Sequence, residues 1–198
     1  MRSALVDWPA PDADQERLRR EFLTRCDDGP EALRRDGRPS HLTASGVVLD
    51  RSCSAVLLVL HGKIGRWLQP GGHLEPGDRS LAGAALRECV EETGVDGLAL
   101  LDARPVHLDA HPAPCGARTH LDVRFVVLAP DGAVPTVSDE SQDVAWFPVD
   151  ALPEGSRADL EAPVTAALRA TRSVLGAGTV VSPVISPGVS PGAAGRSG

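Results

Sequence analysis

The chain has 198 residues, a length typical of one domain with short extensions. It carries 20 Lys and Arg against 27 Asp and Glu, which gives a formal net charge of −7. This balance excludes a broad positive surface for a nucleic-acid polymer. A small phosphorylated ligand remains compatible with it, because a divalent cation can supply the positive charge that the side chains lack.

The chain also lacks the marks of a membrane or secreted protein. No apolar run approaches the roughly 18 residues of a membrane span, and the N-terminus has no signal-peptide core. The four cysteines lie far apart, without the Cys-x-x-Cys pair of zinc or thioredoxin-like sites. We therefore expect a cytoplasmic protein with reduced thiols and no membrane partner.

The N-terminal region is predicted to be helical. Residues 12–26 place apolar side chains, among them Leu18 and Phe22, at helical spacing, and a second short helix is expected over residues 31–35. We expect residues 1–40 to form a helical extension packed on the main domain. A lid over a substrate is the alternative.

The middle of the chain alternates between extended and helical patterns. Segments predicted to be extended are 42–49, 53–60, 67–69, 98–108, 119–128 and 144–149, and a closing helix is predicted over 159–171. Without a regular βαβ alternation, this order predicts an α/β (α+β) sandwich around a mixed sheet. We assign residues 41–173 to this domain and expect the Gly/Pro/Ser-rich residues 174–198 to form a disordered tail.

A glycine loop followed by an acidic helix is the most informative stretch. Gly71-Gly72-His73-Leu74-Glu75-Pro76-Gly77-Asp78 leads into a helix that should end at Gly94, a residue suited to a left-handed cap. Glu88, Glu91 and Glu92 share one face of that helix. Oxygen ligands of this kind select Mg²⁺ or Mn²⁺, and the glycines let the backbone approach a ligand closely. A solvated acidic helix face is the other interpretation.

These residues match a known pattern. The order Gly72-x5-Asp78-x8-Arg87-Glu88-Cys89-x-Glu91-Glu92-x-Gly94-Val95 resembles the signature of the Nudix hydrolase family. It departs from that signature at two points, since Asp78 replaces a glutamate and eight rather than seven residues precede Arg87. The carboxylate that supports Arg87 would be either Asp78 or, in its place, Glu75.

The resemblance implies a fold and a reaction. The fold would be the Nudix α/β/α sandwich, and the reaction would be hydrolysis of a diphosphate linkage in a nucleoside diphosphate derivative or a nucleoside triphosphate. Mg²⁺ or Mn²⁺ would be bound by Glu88, Glu91, Glu92 and the carbonyl of Gly72, with Arg87 in the catalytic set. The general base would be Glu91 or, outside the motif, Glu140.

Polar stripes on the predicted strands are the candidates for substrate binding. Alternation places His120, Asp122 and Arg124 on one face of the strand 119–128, where they would face outward or into a cleft. Similar stripes are His41, Thr43 and Ser45 on one strand, and His107, Asp109 and His111 on another. Trp67, beside the glycine loop, either stacks on a base or fills the core.

Two other functions are compatible with parts of the pattern. One is a ligand-binding Nudix domain without catalysis, against which the intact Glu91-Glu92 pair argues. The other is a hydrolase or isomerase of a prenyl diphosphate, which needs an apolar pocket and, for the isomerase, a suitably placed cysteine that the sequence does not identify. A homodimer agrees with the fold, although no residue pattern establishes it.

Overall fold

A computed structural model describes residues 1–27, 29, 40–113, 118–138 and 141–176. The predicted helix over 31–35, the candidate base Glu140 and residues 177–198 of the predicted tail lie outside the described residues, so these expectations stay predictions, whereas residues 174–176, predicted as part of the tail, are helical.

The elements follow the predicted order. Two helices come first, α1 (Arg2–Val6) and α2 (Ala13–Asp27). The next elements are β1 (Ser40–Leu49), β2 (Ala55–His61), β3 (Trp67–Leu68), β4 (Gly71–His73), α3 (Leu81–Thr93), β5 (Ala99–Leu100), β6 (His107–Pro112), β7 (Thr119–Leu128) and β8 (Ser141–Pro148). A 3-10 turn (Glu154–Ser156) leads into α4 (Arg157–Gly176). Among the described helices, none is long and apolar enough to cross a membrane.

The strands of the described part form one mixed sheet. Its main order is β3-β2-β1-β7-β5, with β4 beside β1, β6 beside β7 and β8 beside β2. Strands β1 and β7 run parallel over their full length, from the pair Ser40–Thr119 to the pair Leu49–Leu128. The other pairings are antiparallel. The predicted mixed sheet is thereby confirmed.

Helices cover both faces of this sheet, because the side chains of β1 and β7 alternate between two cores. On one face Leu42, Ala44, Val123 and Phe125 pack with α1, α2 and α3. On the other face Val47, Leu49 and Val126 pack with Leu160, Val164 and Ala167 of α4. The result is the predicted α/β/α sandwich.

Helix α2 is tied to the sheet by one side chain. Gln15 donates from Nε2 to the Leu108 carbonyl at 3.0 Å and accepts from the Leu108 N–H at 2.8 Å. The start of the helix is capped by Asp12, whose Oδ1 accepts from the Gln15 N–H at 2.8 Å. Phe22 on the same helix is fully buried in the core. The described part of the N-terminal region is thus packed on the domain.

Helix α3 has a defined cap at each end. The Ser80 hydroxyl accepts from the Gly83 N–H at 3.0 Å, which satisfies a donor of the first turn. Gly94 has a φ of 62°, in the left-handed region, and donates to the Val90 carbonyl at 2.9 Å. The predicted end of the helix at Gly94 is confirmed.

The predicted strand over residues 98–108 is wrong, because that segment is interrupted. Its two ends pair with different parts of β7: Leu101 donates to the Val126 carbonyl and Val106 to the Arg124 carbonyl. Residues 102–105 loop out between these contacts, with the Asp102 carboxylate accepting from the Arg104 N–H at 3.1 Å. A local side-chain bond of this kind competes with the strand ladder.

The start of β2 also differs from the prediction. The strand begins at Ala55 rather than Cys53, because Cys53 has a left-handed φ of 57° and belongs to the turn. Asp50 closes this turn through its carboxylate, which accepts from the N–H groups of Ser54 and Ala55 at 2.7 Å each. The residues of the hairpin turn therefore run to Ser54.

We predict that Gly46→Ala destabilises the fold. A Cβ at this position would lie 2.3 Å from the Cys89 Sγ and 3.0 Å from the Val127 Cγ2, both in the core. Overpacking should lower the free energy of unfolding by about 1–3 kcal/mol. Chemical denaturation measures this change.

Two variants serve as controls. Gly155→Ala, where a new Cβ meets nothing within 4 Å, should change stability by less than about 0.5 kcal/mol. In the second control, Cys89→Ala added to Gly46→Ala removes the closer clash and should recover part of the loss. A Gly46→Ala protein as stable as the parent would contradict the close packing of α3 on β1.

Candidate active site

One guanidinium group organises the acidic end of the loop and helix α3. Arg87 donates from Nη1 to Glu91 Oε2 at 2.8 Å and to Glu88 Oε1 at 3.0 Å. It also donates from Nη2 to the His73 carbonyl at 3.0 Å. Burial works to lower the pKa of Arg87, but the bonds to Asp78 and Glu91 and the charge of Glu88 raise it overall. Arg87 thus holds several like charges close together.

Asp78, rather than Glu75, supports Arg87. The guanidinium meets Asp78 with two atoms, Nε to Oδ1 at 3.2 Å and Nη2 to Oδ2 at 3.0 Å. Glu75 approaches no closer than 3.9 Å and its side chain is 62% exposed. Asp78 Oδ2 also accepts from the Glu75 N–H at 2.7 Å, which fixes the loop. The shorter carboxylate and the extra residue therefore leave this contact intact.

The two glycines bring the backbone against the glutamates. The Gly71 N–H donates to Glu92 Oε2 at 3.0 Å. At Gly72 an added Cβ would lie 2.7 Å from the carboxylate atoms of Glu88, so only glycine fits there. Glu88 is buried, whereas the side chain of Glu91 is 55% exposed. The loop and the helix thus form one site.

This arrangement fits a hard divalent cation. The predicted ligands, Glu88, Glu91, Glu92 and the backbone at Gly72, offer only oxygen atoms, and hard cations such as Mg²⁺ and Mn²⁺ prefer oxygen. The close approach of Gly72 to Glu88 also fits a cation, because no side-chain atom of residue 72 lies between the backbone and the Glu88 carboxylate. The structure places Glu88 and Glu92 against the glycine loop and Glu91 on Arg87, and the ligand set itself stays a prediction.

The three polar stripes lie side by side on one sheet face. Strand β7 is central, and its His120, Asp122 and Arg124 face residues of β1 and β6. His120 pairs with His41 and His111, Asp122 with Thr43 and Asp109, and Arg124 with Ser45 and His107. The three residues of β7 are buried, with His120 at 8% and the other two at 4% exposure. The alternative of surface residues is therefore wrong for His120.

Asp122 and Arg124 are held by each other and by their neighbours. Asp122 accepts from the Ser45 hydroxyl at 2.7 Å, the Thr43 hydroxyl at 3.1 Å and Arg124 Nε at 2.9 Å. Arg124 Nη2 donates to Asp109 Oδ2 at 2.9 Å. With their partners on β1 and β6, these two residues form a buried, hydrogen-bonded surface, which we call the polar wall.

The polar wall shifts the pKa values of His107 and His111 in opposite directions. Burial and the charge of Arg124 lower the pKa of His107 to about 4, so this imidazole is neutral at pH 7. The hydrogen bond from His111 Nδ1 to Asp109, at 2.9 Å, raises the pKa of His111. The same bond, with the charge of Arg124, lowers the pKa of Asp109 to about 2.

Imidazoles crowd together at the end of this wall next to the glycine loop. His41 Nε2 lies 3.1 Å from His73 Nε2, and the ring centroids of His41 and His120 are 4.9 Å apart. Burial and the charges of His73, His41 and His111 lower the pKa of His120 to about 4. No function was predicted for His73 from the sequence, although its position directly after Gly72 was a signal.

Trp67 lies elsewhere. Its ring contacts Phe147 edge-on, with centroids 4.8 Å apart, and packs against the core on the α4 side of the sheet. Gln69, two residues later, was not singled out from the sequence. With its amide oxygen turned toward the guanidinium, Gln69 accepts from Arg124 Nε at 2.9 Å. The segment between β3 and the glycine loop thus contributes to the polar wall through Gln69.

Comparison with known proteins gives the family. Residues 39–168, more than half of the chain, match the model of the NUDIX domain. Ap4A hydrolase from C. elegans is 18% identical, with a TM-score of 0.53 over 69% of this chain and 98% of that one. A NUDIX-family hydrolase from Clostridium perfringens is 20% identical, with a TM-score of 0.51 over 68% of this chain and 97% of that one. The chain therefore belongs to the Nudix hydrolase family and is an enzyme of the pyrophosphohydrolase type.

Proposed function

We propose that this protein uses Mg²⁺ or Mn²⁺ to hydrolyse a diphosphate linkage in a nucleoside diphosphate derivative or a nucleoside triphosphate. The observation that carries the proposal is the packing of Glu88 and Glu92 against the glycine loop, with Glu91 joined to Glu88 through Arg87. Arg87 holds Glu88 and Glu91, while Glu92 accepts from the Gly71 N–H. Acidic groups gathered in this way match a divalent cation and the phosphates that it binds.

We assign different roles to Glu88, Glu91 and Glu92 because these glutamates differ in exposure. Bound Mg²⁺ or Mn²⁺ would neutralise the diphosphate and lower the pKa of a water molecule. Glu88, buried beneath Gly72, and Glu92, bonded to Gly71, have fixed positions and are assigned as ligands. Glu91 is the most exposed of the three and is assigned both as a ligand and as the proton acceptor. Glu140 is the alternative proton acceptor.

We assign the part of the substrate beyond the diphosphate to the polar wall. His120 is assigned as a substrate contact, and because its ring lies beside that of His73 on the face of β4 away from the glutamates, the substrate would pass the edge of β4 to reach it. Asp122 and Arg124 form an ion pair with each other, so their proposed role is to shape and orient the polar wall. The Trp67 ring packs against Phe147, so the predicted stacking of a base on Trp67 would use the part of the ring that Phe147 leaves uncovered.

A prenyl diphosphate isomerase finds less support among the described residues. Cys89 is fully buried, and a Cβ on Gly46 would lie 2.3 Å from its sulfur. Burial and the charges of Glu92 and Glu88 raise the pKa of the Cys89 thiol well above its usual range. Such a thiol is a packing residue rather than a reactive one. Prenyl diphosphates therefore enter only as one arm of a substrate panel.

We predict that Glu91→Gln and Glu92→Gln each lower turnover by about 10²- to 10⁴-fold, the usual scale for a lost acid–base or ligand group. Circular dichroism should show an unchanged fold, since neither side chain is part of the apolar core. The assay is phosphate release with Mg²⁺ from nucleotide sugars, dinucleoside polyphosphates, nucleoside triphosphates and prenyl diphosphates.

Two controls accompany this experiment. Glu161→Gln changes an exposed glutamate of α4 and should leave turnover as in the parent. Removing divalent cations with a chelator should abolish turnover in the parent, and adding Mg²⁺ should restore it. Full turnover in both glutamine variants would refute the assignment.

We also predict that Asp78→Asn lowers kcat/KM by about 10- to 100-fold, because a group that orients the ligands contributes on that scale. Glu75→Gln, at a neighbouring exposed carboxylate 3.9 Å from Arg87, should change kcat/KM by less than about twofold. Steady-state kinetics of the two variants distinguishes the two carboxylates. Equal losses would mean that Glu75 shares the support of Arg87.

A further inference from the structure

A second cluster of metal-ligating side chains lies on the sheet face opposite to α3. His41, His73 and His120 each present a ring nitrogen, and these nitrogens all lie within 4.8 Å of one another. Three strands contribute, since His41 belongs to β1, His73 to β4 and His120 to β7. Residues distant in sequence are thus brought to one point by β4 and β7 lying on either side of β1.

Strand alternation separates this cluster from the glutamate site. Gly72 pairs with Ala44, which packs in the core with α3, and an added Cβ on Gly72 would meet Glu88. His73, the next residue, points to the other face, where its ring meets His41. The imidazole cluster and the carboxylate cluster therefore lie on opposite sides of β4.

The rings are packed as a group. Ring centroids are separated by 5.0 Å for His41 and His73, 4.9 Å for His41 and His120, and 5.1 Å for His73 and His120. A fourth ring, that of His111, has its centroid 5.5 Å from that of His120 and is held at Nδ1 by Asp109. The Asp109 carboxylate thus fixes the ring of His111 beside the three others.

From this geometry we propose that His41, His73 and His120 bind a first-row transition metal ion of the Zn²⁺ type. Imidazole selects such ions, whereas carboxylate and backbone oxygens select Mg²⁺. Zn–N bonds of about 2.0–2.1 Å in a tetrahedron place ligand nitrogens about 3.3 Å apart. His41 Nε2 and His73 Nε2 are hydrogen-bonded at 3.1 Å, so a bound ion would take the place of the proton between them and would draw the third nitrogen closer than the present limit of 4.8 Å. The site would keep one coordination position for water or another ligand.

The two sites share one residue. The His73 carbonyl accepts from Arg87 Nη2 at 3.0 Å, while the His73 ring contacts His41. A metal on the imidazoles would fix the ring of His73 and, through its backbone, the carbonyl that Arg87 holds. The proposal does not depend on the reaction assigned to the glutamates.

The test is a Zn²⁺ titration of the whole, metal-stripped protein against a chromophoric chelator, with Mg²⁺ in excess to occupy the oxygen site. The parent should bind one equivalent of Zn²⁺ with an affinity that the chelator can measure. His120→Gln and His73→Gln should each weaken binding by at least about tenfold. His61→Gln, at a histidine outside the cluster, and Glu92→Gln, in the oxygen site, should bind Zn²⁺ like the parent.

Co²⁺ identifies the ligands by absorption. The parent should show the intense visible bands of a four-coordinate site without the near-ultraviolet band of thiolate ligation, and His73→Gln should lose the visible bands. His73 is half-buried on a short edge strand, so this variant should fold even if His120→Gln does not. No Zn²⁺ binding by the parent, unchanged binding in His73→Gln, or loss of binding in Glu92→Gln would each overturn the proposal.

Discussion

The active-site end of this molecule depends on the contacts of Arg87. Glu88 and Glu91 would repel each other on a helix face, and burial of Glu88 would add to the cost of its charge. Arg87 bonds to both and is itself fixed by Asp78 through two atoms. The Arg87 guanidinium thus keeps several carboxylates close together before any metal binds. The glycine loop closes the group, because only residues without a Cβ can lie against Glu88.

One face of the sheet carries both polar and apolar side chains. Along β1 and β7, the residues facing α4 change from His, Thr, Ser, Asp and Arg at the start to Val and Leu at the end. Parallel pairing from Ser40–Thr119 onward puts like residues beside like. The polar half can therefore be buried, since each of its charged groups finds a partner on the adjacent strand. The apolar half forms the core beneath α4.

The sequence predicted those features that local patterns determine. Helix α3, its end at Gly94 and its glutamate face follow from residue spacing, and the family follows from the motif that begins at Gly72. The partner of Arg87 was left open between Asp78 and Glu75, because the bend of the loop decides which carboxylate reaches it. The interruption at residues 102–105 was missed, since it depends on how two segments share the edge of β7.

The imidazole cluster was missed for a related reason. Each of its histidines was visible on a strand, but their meeting requires the antiparallel pairing of β4 with β1 and the parallel pairing of β7 with β1. Pairing between distant strands is set by the whole fold and leaves no local signal in the sequence.

His73 lies where the two clusters meet. It follows Gly72 directly, so its ring lies on one face of the short strand while the Cβ position of Gly72 lies on the other, against Glu88. Its carbonyl accepts from Arg87 and its ring contacts His41, which means that a displacement of β4 changes both sets of contacts together. Strand β4 has three residues and is anchored by its pairing with Thr43, Ala44 and Ser45 of β1. The geometry of the carboxylate site is therefore determined as much by the sheet residues behind the loop as by the motif itself.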